Sequence, residues 1–481
     1  MKLENFDLFI QCLSSDGRAV AEFPCQPRAI PGQSVVCVCN ADYCDKIERE
    51  APKANHYVAY TSSKAGLRFY KTTGQLQEAI NGTFPLTALT LNVSIQYQAI
   101  DGFGGAITDA AGLNWLSLTD TNLRQSLIDS YFSSKGLEYT MIRTPIGCSD
   151  FSSRKYALNE LPLYDKQLSN FSLAEEDFNL KIPMFKAAIK ASNQDIYVIA
   201  TTWSPPDWMK VSNGISVCGK LNPDYYQTYA DYHVKFIDEY NKQGIKIWAL
   251  TTTNEPSNAF LATMVFNCMG WSSTDQLVAS DPRVLNYIDG VAVHGYADLV
   301  IPASILEAVT NLYPQLKLMM TEFCEGYLSP TQKVLLGSWD RAESYIKSIL
   351  GNLNFGAAGY VDWNLCLNQI GGPNWALNFV DSPIIVFPEA GEFVKQPTYY
   401  AMGHFSKFLP RGSKRIHVDI YKSQYDLNLQ NVAFVTPLNT VVVILYNPAA
   451  ETRVIIKLGS QAATVLLPAQ SVMTVEMVLD Q

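Results

Sequence analysis

The sequence predicts an α/β fold: a (β/α)8 TIM barrel, apparently one βα unit short, with an accessory antiparallel β-sandwich domain and a small N-terminal β segment that bears disulfides. From about residue 95, apolar strands alternate with helical stretches, which is typical of a parallel barrel. These strands are continuously apolar, as expected for strands buried on both faces. After about residue 412 the chain changes to short strands separated by turn residues, which favours a β-sandwich.

Seven barrel strands are predicted, where a complete barrel needs eight. They are 95–105, 137–146, 195–206, 245–256, 289–296, 316–323 and 357–365. The missing strand is the fifth of the eight.

The predicted domains are assembled from separated segments. Residues 1–22 are an unassigned N-terminal tail. The small antiparallel β module with disulfides comprises 23–47 and 365–396, the β-sandwich 48–94 and 413–481, and the catalytic barrel 95–364 and 397–412.

Composition excludes several classes of protein. The net charge of -9 argues against a nucleic-acid-binding protein, which usually presents a basic face. No apolar run approaches the length of a transmembrane segment. The segment GFGGAITDAAG (102–112) has Ile107 where a dinucleotide fingerprint needs glycine, and five scattered histidines give no metal site. We therefore expect neither a cofactor nor a metal.

The cysteines and sequons indicate a secreted route. Two disulfides are the favoured interpretation of Cys25, Cys37, Cys39 and Cys44, with zinc as the alternative. We expect buried free thiols at Cys148, Cys218, Cys268, Cys324 and Cys366. Candidate glycosylation sites are Asn81, Asn92 and Asn170. The first residues, MKLENFDLFIQ, do not form a convincing signal peptide.

Polar side chains occupy the predicted strand ends, where the active site of such a barrel lies. Glu255 follows Asn254 in TTTNEPS (251–257), and Glu322 ends another strand. Two carboxyl groups in one cleft can cleave a glycosidic bond if one is protonated and the other ionised. Arg143 could keep Glu322 ionised, and Asn254 could bind a substrate hydroxyl. The alternative is that both glutamates are salt-bridged strand ends. Other strand ends carry Asp109, Asp150, Trp203, His294, Tyr296, Trp363 and Asn364.

Long matches in order give a resemblance to the glucosylceramidases of glycoside hydrolase family 30. They run from Cys25 onward and include SVVCVCNADYC, GFGGAITDAAG, IRTPIGCSDFS, TWSPPDW, NEPS, MTEFCEG, LGSWDR, DWNLCLNQIGGPNW, NFVDSPII and KQPTYYAMGHFSKF.

The resemblance implies a retaining β-glucosidase that cleaves glucosylceramide to glucose and ceramide. It implies Glu255 as acid/base and Glu322 as nucleophile, with Arg143 beneath them and His294 as a support. Substrate contacts would map to Asp150, Trp203, Asn254, Tyr296, Trp363 and Asn378. The implied disulfides are Cys25–Cys37 and Cys39–Cys44. The implied partners are a saposin-type activator protein and anionic membrane lipid, and the implied location is the lysosomal lumen, peripheral to the membrane.

Two departures from the family pattern leave alternatives open. Gly295 stands where the family has tryptophan, so one aromatic of the cleft wall is lost. Only 67 residues separate Glu255 from Glu322, whereas the family carries one more βα unit there, of about 30 residues or more. The shortened barrel could make the chain a glycolipid-binding homologue without catalysis. A family 30 enzyme for another β-glycoside is the third hypothesis.

Overall fold

A computed structural model describes residues 24–79, 86–212, 218–261, 264–271, 283, 286–298, 300–424 and 426–479. At its centre, seven parallel strands form one curved sheet in the order β4–β3–β2–β1–β7–β6–β5. The strands are β1 (Gly102–Ala106), β2 (Met141–Ile146), β3 (Tyr197–Thr202), β4 (Ile247–Thr251), β5 (Gly290–His294), β6 (Lys317–Glu322) and β7 (Ala357–Asn364).

The barrel is nearly closed, with its opening between β4 and β5. Within the described residues these two strands end the sheet and do not pair with each other, as the missing fifth strand predicts. Every residue of β1, β2 and β7 is buried, whereas β4 and β5 contain only half-buried and exposed residues. On β4, Trp248 is 36% exposed and Leu250 is 39% exposed. Apolar surface is therefore exposed at an edge that no strand of the described residues covers.

Helices connect the strands and cover the outside of the sheet. The α-helices are α1 (Asp109–Ser117), α2 (Thr121–Phe132), α3 (Ile182–Ala191), α4 (Tyr226–Lys242), α5 (Ile305–Leu312), α6 (Trp339–Asn354) and α7 (Pro397–Ser406). Side chains of Thr108, Asp120 and Ser338 cap the first turns of α1, α2 and α6. A π-helical turn, Asp177–Lys181, leads into α3. Helix α5 follows β5, and none of its residues is buried.

The β-sandwich combines strands from both ends of the chain, as the sequence predicts. Its ten strands are Tyr70–Gln75, His56–Ser63, Ser471–Val478, Thr440–Asn447, Gln430–Val435, Lys414–Tyr421, Thr87–Ala99, Thr452–Leu458, Gln461–Leu467 and Gln77–Glu78, in hydrogen-bonded order. The long strand Thr87–Ala99 pairs with two C-terminal strands and leads directly to β1. The sandwich and the barrel are therefore joined by continuous chain.

A smaller five-stranded sheet also draws on distant segments. Its strands, in order, are Pro27–Arg28, Val36–Asn40, Glu392–Lys395, Ile384–Phe387 and Cys366–Asn368. The last two pair in parallel, so the expectation of a wholly antiparallel module is wrong at that edge. Disulfides Cys25–Cys37 and Cys39–Cys44 are present, which excludes the zinc alternative for these cysteines. The domain boundaries themselves stay a prediction.

A third disulfide, Cys218–Cys268, corrects the expectation that both cysteines are free. Cys218 precedes the strand Gly219–Leu221, and Cys268 precedes Met269–Gly270. These two strands pair in parallel, which brings the cysteines side by side despite 50 residues of separation. A further strand, Lys210–Ser212, completes this sheet. Cys148, Cys324 and Cys366 are buried and free, as expected.

Candidate active site

Arg143, from the middle of β2, is the buried centre of the site. Its side chain is 1% exposed and donates hydrogen bonds to Oε2 of Glu322 and, at 2.7 Å, to Oδ1 of Asn254. Its guanidinium carbon lies 4.9 Å from the ring centroid of Trp203 and 5.4 Å from that of Trp363. A buried guanidinium that is hydrogen-bonded and stacked in this way fixes the positions of both acceptors.

Glu322 ends β6 and accepts hydrogen bonds on both carboxylate oxygens. Arg143 donates to Oε2, and the Tyr296 hydroxyl donates to Oε1 at 2.7 Å. Two donors, one of them charged, fix the orientation of the carboxylate. The carboxylate is thus oriented and supplied with positive charge, as a nucleophile requires.

Glu255 lies four residues beyond β4, in a left-handed backbone conformation with φ 42° and ψ 62°. Such a conformation is uncommon for a residue other than glycine, and strained residues of this kind cluster at functional sites. Oε1 lies 2.7 Å from Nδ1 of His294, and Oε2 accepts a 2.5 Å hydrogen bond from Nδ2 of Asn258. Burial raises the pKa of Glu255, but the hydrogen bond and charge of His294, with help from Asn258 and Arg143, lower it overall.

The two carboxyl groups meet in one cleft. A carboxylate oxygen of Glu255, one of Glu322 and a ring nitrogen of His294 all lie within 4.8 Å of one another. His294 and Glu322 are register partners at the ends of β5 and β6, so the strand pairing itself delivers this contact. These three side chains could geometrically ligate a cation, but the Arg143 guanidinium on Glu322 opposes a second positive charge.

Asp150 and Asn378 form a second polar group beside the carboxylates. Asn378 Nδ2 donates to Asp150 Oδ2 at 3.0 Å, although the two residues come from the loops after β2 and β7. The pKa of Asp150 is raised to about 7 overall: burial raises it most, the Asn378 hydrogen bond lowers it, and the charge of Glu322 raises it. Trp203 and Trp363 stack with ring centroids 5.2 Å apart. Polar groups beside stacked indoles are suited to a pyranose ring, which has hydroxyls at its edge and apolar faces.

Gly295, the departure from the family pattern, lies in a filled space. A Cβ atom there would lie 2.2 Å from Cε of Met320 and 2.9 Å from Cδ2 of Phe323. A larger side chain would require the Met320 side chain to move. Met320 and Phe323 therefore pack closely against the position where the family pattern has tryptophan.

Family models match most of the chain. The model described as "Glycosyl hydrolase family 30 TIM-barrel domain" matches residues 100–279 and 273–409, and the model described as "Glycosyl hydrolase family 30 beta sandwich domain" matches 412–475. The chain belongs to glycosyl hydrolase family 30. As a family 30 member it is a glycosidase.

Similar proteins are known by sequence and by structure. This family 30 chain is 39% identical to lysosomal acid glucosylceramidase of Mus musculus, over 89% of this chain and 90% of the relative. It is 39% identical to putative glucosylceramidase 3 of Caenorhabditis elegans, over 83% and 84% respectively. Among solved structures, the endo-β1,6-glucanase BT3312 is 25% identical with a TM-score of 0.74, covering 88% of this chain and 99% of that one.

The structure brings together the side chains that the sequence proposes for this hydrolase. Arg143, Asn254, Glu255, His294, Tyr296 and Glu322 are linked by direct contacts, and Asp150, Trp203, Trp363 and Asn378 lie beside them. Their individual roles stay predictions.

Two of the predicted strand-end residues hydrogen-bond to residues outside this group. Asp109 accepts hydrogen bonds from Ser152 and Tyr156 in a buried network, and Asn364 accepts one from Thr108.

Sequence reasoning missed two asparagines that hold site residues. Asn258 donates to Glu255, and Asn374 donates to Asp150 at 3.2 Å. Position was the only available signal: Asn258 lies three residues after Glu255, and Asn374 lies in the quoted GGPNW segment.

The remaining expectations concern modification and membrane association. Asn170 is exposed and Asn92 is half-buried, while Asn81 lies outside the described residues. Over the part of the chain that is described, no helix combines the length and apolar character needed to cross a membrane.

Proposed function

We propose that this family 30 hydrolase is a retaining β-glucosidase that cleaves glucosylceramide to glucose and ceramide. The observation that carries the proposal is the close approach of the Glu255 and Glu322 carboxylates, whose oxygens lie within 4.8 Å. Retaining glycosidases place their two carboxyl groups about 5–5.5 Å apart, whereas inverting enzymes leave room for a water molecule between them. The two glucosylceramidase relatives at 39% identity support the substrate.

In the proposed reaction, Glu322 and Glu255 act in two steps. The Glu322 carboxylate attacks the anomeric carbon while the protonated Glu255 delivers its proton to the departing ceramide oxygen, so that a covalent glucosyl ester forms as the glycosidic bond breaks. Glu255 then removes a proton from water, the resulting oxygen attacks the same carbon, and the ester bond to Glu322 breaks. Arg143 and Tyr296 hold Glu322 throughout, and Asp150, Asn254 and Asn378 take the sugar hydroxyls.

Burial raises the pKa of Glu255, but His294 lowers it below its usual value overall. A general acid must be protonated when substrate binds, so this lowered pKa restricts the proposed acid role to acidic pH. The lysosomal lumen is the proposed location by similarity to the lysosomal relative. A saposin-type activator and anionic lipid are proposed partners, since ceramide must be lifted from a membrane.

Single substitutions at the two glutamates test the proposal. With an aryl β-glucoside at mildly acidic pH, we expect Glu322→Gln to lower kcat by about 1,000-fold or more, because no ester can form. Glu255→Gln should still form the ester from a dinitrophenyl glucoside, whose leaving group needs no proton, and then release glucose slowly. A burst of dinitrophenol with Glu255→Gln and none with Glu322→Gln would assign the roles. Full activity in either variant would contradict them.

A second candidate function is glycolipid binding without turnover. The open edges of β4 and β5 favour it, because Glu255 follows one edge strand and its partner His294 ends the other. Wild-type protein that binds a glucose-like iminosugar and hydrolyses no member of a panel of aryl glycosides would establish this function. Turnover of a different β-glycoside in the same panel would indicate a family 30 enzyme of other specificity.

A further inference from the structure

Asn374 connects two loops that carry proposed sugar contacts. It lies in the loop after β7, is 6% exposed, and donates through Nδ2 to Asp150 Oδ2 at 3.2 Å and to the Asn378 carbonyl at 3.0 Å. Its Oδ1 accepts from the backbone N–H groups of Ala376 and Asn378 at 3.0 and 3.1 Å. A side-chain amide with both donors and its acceptor engaged has a single orientation.

The neighbouring Trp375 holds the backbone of the Asp150 loop. Its N–H lies 3.2 Å from the Asp150 carbonyl and 3.0 Å from the Ser152 carbonyl, and its indole N–H donates to the Ser149 carbonyl at 2.7 Å. These contacts do not involve Asn374. Trp375 therefore holds the backbone of the Asp150 loop, whereas Asn374 contacts the Asp150 side chain.

Asn374 and Asn378 both donate to one oxygen of Asp150. The two amides occupy Oδ2, which directs Oδ1 and its lone pairs to other donors. Burial raises the pKa of Asp150, and the hydrogen bonds from Asn378 and Asn374 counter it. Both amides therefore lower the pKa of a carboxyl group that is still raised to about 7 with them in place.

We propose that Asn374 is a positioning residue that locks Asp150 and Asn378 into one hydrogen-bonding unit for the hydroxyl groups of the sugar. The inference rests on the proposed function, because it takes the group beside Glu322 as the sugar site. Asn374 does not touch the sugar itself. It sets which oxygen of Asp150 faces the sugar.

Two substitutions at Asn374 test the role in the full chain. Asn374→Ala removes the donor, and Asn374→Asp replaces it with a carboxyl about 3 Å from Asp150, so the pair would share a proton. For each we expect the inhibition constant of a glucose-like iminosugar and the KM of an aryl β-glucoside to rise about tenfold. We also expect the acidic limb of kcat/KM to move to higher pH, further for Asn374→Asp.

Asn354→Asp is the matched control, because Asn354 is a half-buried asparagine whose Nδ2 donates to the Asn431 carbonyl, far from the cleft. It should leave affinity and pH profile unchanged. If Asn374→Asp does not fold, Asn374→Ser provides a second small polar replacement. A lower melting temperature with unchanged iminosugar affinity and pH profile would overturn the proposal and leave Asn374 a structural role.

The outcome for the wild-type chain separates the two proposals. Binding without turnover contradicts the proposed enzyme but still tests Asn374 through affinity, measured by calorimetry. Turnover with unchanged variants contradicts the Asn374 role alone. A wild-type chain that neither turns over nor binds sugar overturns both.

Discussion

Nδ1 of His294 lies 2.7 Å from Oε1 of Glu255 and also 3.9 Å from Oε1 of Glu322. The imidazole therefore lies between the two carboxylates across the opening in the barrel, from β5 to the segment after β4. One histidine therefore lies near both proposed catalytic acids. Its stronger contact is with Glu255, the proposed proton donor.

His294→Phe should move the pH dependence of catalysis upward. His294 is a cause of the lowered pKa of Glu255, and burial alone would raise that pKa. Without the imidazole, Glu255 stays protonated to higher pH, so the basic limb of kcat/KM should shift to higher pH. His294→Gln keeps a polar group and should shift it less. An unchanged basic limb in both variants would show that His294 does not govern Glu255.

Arg143→Met should destabilise the fold strongly. The substitution leaves Glu322, which is 5% exposed, as a buried charge without its cationic partner. Losing one member of a buried ion pair costs about 3–5 kcal/mol. Arg28→Met is the matched control, because Arg28 is 44% exposed in its pair with Glu392 and should cost about 0–1 kcal/mol. Denaturant unfolding of both variants and of the wild type measures the two losses of stability. Equal losses would contradict the role given to Arg143.

The fold could be predicted because its signals are local or additive. Apolar strands ending in polar residues and a change of pattern near residue 412 predict a barrel and a sandwich. The 67 residues between Glu255 and Glu322 indicate a missing strand only through the resemblance to the family, which carries one more βα unit there. The carboxylates were found because strand ends in a barrel converge. The convergence of strand ends predicts the end of the barrel at which the two carboxylates lie, but it does not predict how their side chains are oriented.

The remaining features depend on contacts between distant loops. The Cys218–Cys268 disulfide requires the pairing of two short strands, and no spacing rule predicts a bridge across 50 residues. Asn374 reaches Asp150 across 224 residues, so no motif contains both. The contact of Glu255 with His294 depends on the left-handed backbone conformation of Glu255, which precedes Pro256. Residues before proline prefer an extended conformation, so local preferences do not predict this one.

Removing the Cys218–Cys268 disulfide should lower stability measurably. A bridge across 50 residues constrains the unfolded chain by about 4 kcal/mol in the loop-entropy account. The double variant Cys218→Ser/Cys268→Ser should therefore lose stability up to that amount under non-reducing conditions. Cys366→Ala, which removes a buried free thiol, controls for the loss of sulfur. Peptide mapping without reduction should recover residues 218 and 268 in one linked species. Two separate peptides would contradict the bridge.

The edges of the open barrel should exchange amide hydrogens faster than its centre. Strands β4 and β5 have one hydrogen-bonded neighbour each among the described residues and include no fully buried residue, whereas β1 and β2 are buried throughout. Local opening exposes an edge strand at lower free energy than a central one, so protection in 247–251 and 290–294 should be about 100-fold or more below that in 102–106 and 141–146. The sandwich strand Thr440–Asn447, buried along its length, provides an internal reference. Equal protection in edge and centre would mean that β4 and β5 are covered by another part of the chain or by a second copy. Fast exchange would instead show that Glu255 and His294 meet across a boundary that opens readily.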